Sequence, residues 1–356
     1  MSTKKYHSML QIANFLWYDT TMITTKRKKQ ILLWVLIAVL LIGAAVTAFF
    51  LLYPKKPDAK ALLEGADSLS KQNLCLTALL EEEPANKTYQ EQLLANYAAL
   101  GADPLTIYAL EQKYGIQAAP AAQTAPEQAG AVLNRGGIAG MAKYKDAYAV
   151  AQGADTTYYA TSDGIYADYC GLEQRIAAIG ASHLIAAENG VYFLNDVQRK
   201  VQYIARDGHK IETLSPMDAV SFALFGDALW IIDTNYDLYC NEKKIESEHK
   251  VRALAAASDT LYAACNDESG AAMGVLAIDQ NGAASMALPS KALSIFGGED
   301  GCLYYINEFG LPMRYRPATK EATFLSEKKA IAVTYEQQAV YILNEKGKVK
   351  KIKVTD

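Results

Sequence analysis

From residue 131 onward one short element recurs six times. It reads TTYYATSDG (156–164), GVYFLND (190–196), ALWIIDTN (228–235), TLYAACND (260–267), CLYYINEFG (302–310) and AVYILNEKG (339–347). Aligned on Tyr159, Tyr192, Trp230, Tyr262, Tyr304 and Tyr341, successive copies lie 33, 38, 32, 42 and 37 residues apart. Aromatic and β-branched residues fill each copy, and Gly, Asn and Asp cut it off. Self-similarity at this period with strand content throughout predicts propeller blades. One beat, Lys291 to Glu327, divides into four strands: KALSIFGGED, GCLYYINEFG, LPMRYRPATK and EATFLSE. The same rhythm runs through 182–215 and 251–289. Six blades of about 37 residues need 222 residues, which 135–356 supplies.

The repeated motif resembles that of six-bladed YWTD-type propellers of receptor ectodomains and their bacterial relatives. Tyr192-Phe193-Leu194-Asn195, Trp230-Ile231-Ile232-Asp233, Tyr304-Tyr305-Ile306-Asn307 and Tyr341-Ile342-Leu343-Asn344 keep an aromatic first and Asn or Asp fourth. No copy reads YWTD, and Tyr159 and Tyr262 lack the polar fourth residue. The resemblance implies a displayed binding surface and leaves the ligand open. The Asn/Asp residues themselves predict turn chemistry, since each ends a strand where such side chains bond their own backbone. A calcium site would need more converging oxygens.

A ring of blades must interlock its ends or leave two free edges. The last beat holds only three strands, AIAVTYEQ, QAVYILNEKG and KVKKIKVTD. Residues 131–138, with Val132 and Leu133, are therefore expected to supply its outer fourth strand.

Upstream, Ile31 to Tyr53 is an uncharged, proline-free apolar run of 23 residues. At ~1.5 Å per residue it spans ~34 Å, enough for a bilayer core of ~30 Å. It is too long for a signal-peptide core, so an uncleaved membrane anchor is expected. Lys26, Arg27, Lys28 and Lys29 precede it, whereas Lys55, Lys56 and Lys60 after it are diluted by Asp58 and Glu64. This basic excess places the N-terminus in the cytoplasm and the C-terminal body outside. Met22 opens a compact basic prelude to the anchor and is an alternative start to Met1.

Residues 57–116 carry helix punctuation. Asp58 caps a first helix bearing Leu62, Leu63, Ala66 and Leu69, and a second runs through Cys75, Leu76, Leu79 and Leu80 to Pro84. Asn86 caps a third with Tyr89, Leu93, Tyr97 and Leu100. Asp103-Pro104 opens a fourth with Ile107, Leu110 and Tyr114, and Gly115 stops it. Leu93-Leu94, Tyr97 and Gly101 are similar to the first helix of a tetratricopeptide repeat, with Pro84 closing the preceding unit; the resemblance implies a peptide-holding groove. Two repeats fall short of the usual three, and a spacer packed on the next domain is the competing expectation. Residues 117–130, QAAPAAQTAPEQAG, lack large apolar residues and form a linker.

The fold class is thus mainly β: a six-bladed β-propeller preceded by one transmembrane helix and a short α-helical hairpin region. The expected order is a cytoplasmic basic tail (1–30), transmembrane helix (31–53), helical stalk (57–116), Ala/Pro linker (117–130) and propeller (131–356).

Residues 57–356 hold 27 basic and 38 acidic residues, a net charge of −11. Such a body repels nucleic acid, and none is expected as a partner. Five cysteines, at 75, 170, 240, 265 and 302, show no CxxC, and four are expected in strands as small core residues. The four histidines form no ligand pair. There is no phosphate-binding glycine loop, HExxH or GxSxG, and Glu81-Glu82-Glu83 reads as a solvated face. No catalytic, metal or cofactor residues are assigned. The expected function is a membrane-anchored extracytoplasmic scaffold or adaptor that binds another envelope protein through its propeller and stalk. The alternatives are a sensing ectodomain for peptide or glycan and, further off, an axial-site hydrolase.

Overall fold

The computed structural model describes residues 35, 37–39, 57–118 and 128–353, apart from 135, 145 and 268. The chain divides into two units, Met1–Lys56 and Pro57–Asp356. In the first, residues 35 and 37–39 are helical. The rest of the expected anchor, the basic tail and residues 119–127 of the linker lie outside the described residues. Among the described residues no helix is long and apolar enough to cross a membrane.

The second unit opens with four helices: α1 (Ala59–Glu64), α2 (Leu69–Glu82), α3 (Lys87–Ala99) and α4 (Pro104–Tyr114). Their caps are the expected side chains. Asp58 accepts from the Lys60 and Ala61 amides, Asn86 from Tyr89 and Asp103 from Leu105; Gly115 ends α4 in the left-handed region at φ +67. The first helix stops earlier than the sequence suggests. Gly65 breaks it and Ser68 caps the next, so Leu69 opens α2 instead of extending α1.

The strands form six antiparallel blades, each running outward from its first strand. Blade 1 is β2 (Ala149–Gln152), β3 (Thr156–Thr161), β4 (Gly164–Tyr169) and β5 (Leu172–Ala177). Blade 2 is β6 (Ala181–Ala187), β7 (Gly190–Asn195), β8 (Val201–Ala205) and β9 (Ile211–Thr213). Blade 3 is β10 (Ala219–Phe225), β11 (Ala228–Asp233), β12 (Leu238–Cys240) and β13 (Lys243–Ile245). Blade 4 is β14 (Lys250–Ala257), β15 (Thr260–Asn266), β16 (Ala272–Ile278) and β17 (Ala284–Leu288). Blade 5 is β18 (Ala292–Gly297), β19 (Leu303–Asn307), β20 (Pro312–Arg316) and β21 (Glu321–Phe324). Blade 6 has three strands, β22 (Ala332–Glu336), β23 (Ala339–Leu343) and β24 (Val349–Ile352). The aromatic that opens each repeat lies on the second strand of its blade. Trp230, Tyr262 and Tyr304 are 1%, 1% and 0% exposed and fill the space between blades.

The turn reading of the Asn/Asp residues holds in detail. Asn195 Oδ1 accepts from Val197 and Gln198 amides, Asp233 from Asn235 and Asp237, Asn307 from Phe309 and Leu311, and Asn344 from Lys346 and Lys348. Blade 4 has the same device displaced by two residues. Asp267 accepts from the Ser269 and Ala271 amides, five residues after Tyr262 where those four copies need three.

The expected ring closure is wrong. Residues 131–138 do not form the outer strand of blade 6. Instead β1 (Val132–Asn134) pairs antiparallel with the innermost strand of blade 2, Val132 opposite Ala187, inside the ring. Gly137 then bridges to Val150 on the innermost strand of blade 1. A 3-10 turn, Ala139–Ala142, follows and packs against both β2 and β24, at the seam between blades 1 and 6. Ile138 and Met141 meet Ala339, Tyr341 and Val349 there. Tyr144 stacks on Tyr159, 4.2 Å between centroids, and Tyr159 on Tyr166 at 5.1 Å. The physical reason is the glycines. Gly136 adopts φ +79, and a Cβ at Gly137 or Gly140 would strike the Glu336 carboxyl or Val150. These residues suit a backbone that must pass between two blades, not a strand on an open outer edge.

Two buried carboxylates hold this wedge. Glu336, on blade 6, accepts from the Ile138 amide at 2.9 Å, the Ala139 amide at 3.1 Å and the Thr334 hydroxyl at 2.5 Å. Asp168, on blade 1, accepts from Lys143 and Tyr144, both at 2.6 Å, and from the Gly171 amide at 2.6 Å. Burial pushes the Glu336 carboxyl above its ordinary pKa, and its three donors offset this only in part. Burial acts the same way on Asp168, but the bonds from Lys143, Tyr144 and Gly171 prevail and hold it below the ordinary value.

Candidate functional site

In an antiparallel blade, the turns between strands one and two and between three and four lie at one end. The two–three turns and the links between blades lie at the other. The helices occupy the first face, over blades 1 and 2. Lys71 on α2 pairs with Asp155 at 2.6 Å, in the one–two turn of blade 1. Asn73, fully buried, donates to Asp207 at 2.6 Å in the three–four turn of blade 2, and Tyr97 donates to the Asp207 carbonyl. Asp207 also meets His209 Nδ1 at 2.5 Å. Leu74 and Cys75 share a core with Tyr158, Tyr169 and Ile204. The returning chain joins the same face, where Glu188 and Asn189 amides donate to Ala131 and Ala129. The helical region is therefore docked on the propeller, sharing its core.

Docking creates a groove of about 450 Å³ between the α3–α4 loop with the first turn of α4, residues 101–106, and residues 208–211 of blade 2. Beside it α4 turns Leu105 and Tyr108 outward, 77% and 59% exposed, while no residue of α4 is fully buried. Ile211, on the short outer strand β9, is 41% exposed across the groove. A terminal helix of a stacked array ordinarily presents polar residues; this one presents a leucine and a tyrosine one turn apart.

Among the described residues, nothing covers the opposite face. Its turn tips include Val197, Tyr236 and Phe309 on blades 2, 3 and 5, all exposed.

The ring's centre is partly filled by β1, on the side of blades 1 and 2. The remaining space is a cavity of about 160 Å³ walled by the first strands of blades 2 to 5. Ile185, Phe222, Leu254, Ile295 and Phe296 line it, with His183 the only titratable side chain there among the described residues. Each of these four strands carries a register shift near its start, between Ser182 and Ile185, Ala219 and Ser221, Val251 and Ala253, and Ala292 and Ser294. In blade 2 the bulge puts His183 at φ +52 with its side chain open to the axial cavity inside the ring.

Of the residues weighed from sequence, Glu81, Glu82 and Glu83 are exposed at the end of α2. The cysteines are free: Cys75 and Cys265 are buried, and burial raises each thiol to about 11. The expectation of four strand cysteines needs correction. Cys170 stands exposed in the β4–β5 turn, where a left-handed φ of +51 is required, and Cys302 precedes β19. Leu105, Tyr108 and His183 were not singled out in sequence. Leu105 and Tyr108 differ from the inward Ile107 and Leu110 only in helical phase, and His183 only by a bulge.

No family model and no curated protein matches the sequence. Solved structures similar to it include apo AztD from Citrobacter koseri, at 14% identity over 58% of this chain and 73% of that one, TM-score 0.40. The extracellular domain of the putative one component system BT4673 from B. thetaiotaomicron matches at 12% identity over 65% and 35%, TM-score 0.43. A nidogen/laminin complex matches at 12% identity over 56% and 89%, TM-score 0.43. Likeness at this distance assigns no activity.

Proposed function

We propose that the chain is a non-catalytic, membrane-anchored scaffold that binds another protein of the cell envelope, with residues 31–53 in the membrane and the propeller outside the cytoplasm. One observation supports this most: the helical unit and blade 2 together build the groove beside Leu105 and Tyr108. Its volume of about 450 Å³ falls in the usual range for binding sites of ~300–1,000 Å³, whereas the axial cavity falls below it. An exposed tyrosine beside a concave wall is a usual anchor of a protein interface, and the neighbouring leucine adds apolar area to it. The YWTD-type and tetratricopeptide resemblances agree with a binding role. A sensing ectodomain for peptide or glycan would use the same groove. The hydrolase reading gains nothing from the axis, where a single histidine stands among apolar residues.

The test is photo-crosslinking in intact cells with a photoreactive residue at Leu105 or Tyr108. A discrete adduct with one envelope protein, absent when the probe replaces exposed Lys320, supports the scaffold. Identical adduct patterns from all three positions, or none, overturn it.

A further inference from the structure

The axial cavity has a defined hydrogen-bonding polarity. Ser182 Oγ lies 2.7 Å from Asp196 Oδ1 and 3.2 Å from His183 Nδ1. An ionised carboxylate only accepts, so the single Ser182 proton goes to Asp196. Ser182 Oγ must then accept from His183, which fixes the ring proton on Nδ1. Desolvation by the surrounding ring lowers the His183 pKa, opposed in part by Asp196, so the imidazole is neutral near pH ~7. Its Nε2 is therefore a bare acceptor, and among the described residues it has no hydrogen-bond partner.

The other side chains of the wall are apolar, and its remaining polar atoms belong to the main chain of the first strands. Ile185, Phe222, Leu254, Ile295 and Phe296 offer neither donor nor acceptor side chains. A cavity of about 160 Å³ compares with the ~150 Å³ apolar cavity that takes up benzene. Space for one aromatic ring, apolar side chains and one side-chain acceptor at the rim suit a ligand with one ring and one donor.

We propose that the propeller axis binds a phenol-type ring, its hydroxyl donating to His183 Nε2 and its ring lying among Phe222, Leu254 and Phe296. The same chemistry has two sources, a free small phenol or a tyrosine side chain of a docked peptide. This site is independent of the groove beside α4, so its failure leaves the scaffold reading intact.

Full-length protein in detergent is titrated with phenol, anisole and N-acetyl-tyrosinamide, followed by ligand-observed magnetic resonance and calorimetry. Phenol is expected to saturate with a dissociation constant on the order of 1 mM. Anisole, which has the ring without the donor, should bind about tenfold more weakly. His183→Ala should abolish that difference while leaving weak ring binding. Binding of N-acetyl-tyrosinamide alongside phenol identifies a peptide side chain as the source, and binding of phenol alone a free small molecule. No saturable binding of phenol, or equal affinity for phenol and anisole in the unmodified protein, overturns the proposal without recourse to a variant.

Discussion

Glu336 and Asp168 grip one segment of chain from opposite sides of the ring's seam. Glu336 takes its amides at Ile138 and Ala139, and Asp168 takes its side chains at Lys143 and Tyr144. The first blade and the last are joined through this segment, and among the described residues they share no strand.

The two carboxylates should respond to pH with opposite sign. Glu336 has a raised folded pKa, so its contribution is complete below its ordinary value of 4.5 and is lost as pH rises through the folded value. Asp168 is depressed, so its contribution is complete above 3.8 and is lost as pH falls. Urea unfolding at about pH 5 and pH 8 should show Glu336→Gln losing less stability than the unmodified protein over that rise. An unchanged difference between the two pH values would contradict the assignment.

Asp168→Ala should cost about 2–3 kcal/mol, because it leaves Tyr144 and the Gly171 amide without their acceptor. The exposed Lys143 can turn to water and should account for little of this. Lys143→Met, measured by the same denaturation, is therefore expected to cost less than half as much.

Gly137→Ala should destabilise by about 2 kcal/mol or more, since its Cβ would land on the Glu336 carboxyl. Gly180→Ala is the control. There the Cβ would sit 3.6 Å from Asp196 at ordinary contact, and the change should be near neutral. Equal melting temperatures for the two variants would show that the wedge does not pass where described.

Asn307→Ala should cost about 1–2 kcal/mol through the Phe309 and Leu311 amides it leaves unpaired. Calcium or a chelator should leave the melting temperature of the unmodified protein unchanged, because this side chain is engaged with its own turn. A chelator-induced fall of several degrees would reopen the metal reading.

Asp207→Ala should loosen the helices from the propeller, since Asn73 and His209 both turn to that carboxylate. Protease should then cut within 69–99 before it cuts any blade. Simultaneous cleavage would mean that helices and ring unfold as one.

The blades were legible because each repeats an aromatic and a turn-forming Asn or Asp at a fixed offset. Lys291 to Glu327 divides in the structure where the sequence divides it. Asp267 escaped because it stands five residues after Tyr262, two more than in the four copies with Asn or Asp fourth, before the same turn. The wedge escaped for a different reason. Gly136-Gly137 and Ala139-Gly140 carry no periodicity, and the residues that select their path, Glu336 and Asp168, are distant in sequence. The site was less legible still. Nothing marks His183 until a bulge turns it into the axis, and nothing links Ser182 to Asp196 except the pairing of adjacent strands.

The bond from Ile138 to Glu336 spans 198 positions of the chain. A ribosome completes the wedge before the first blade and its clasp only after blades 1 to 5. Until then the early blades have two raw ends and no means of joining them. Long-range closure of this kind is slow and leaves apolar edges exposed meanwhile. If the chain is threaded across a membrane as it is made, the ring is committed only after residue 336 has crossed. A chain halted short of residue 336 is then a target for quality control, not a smaller propeller.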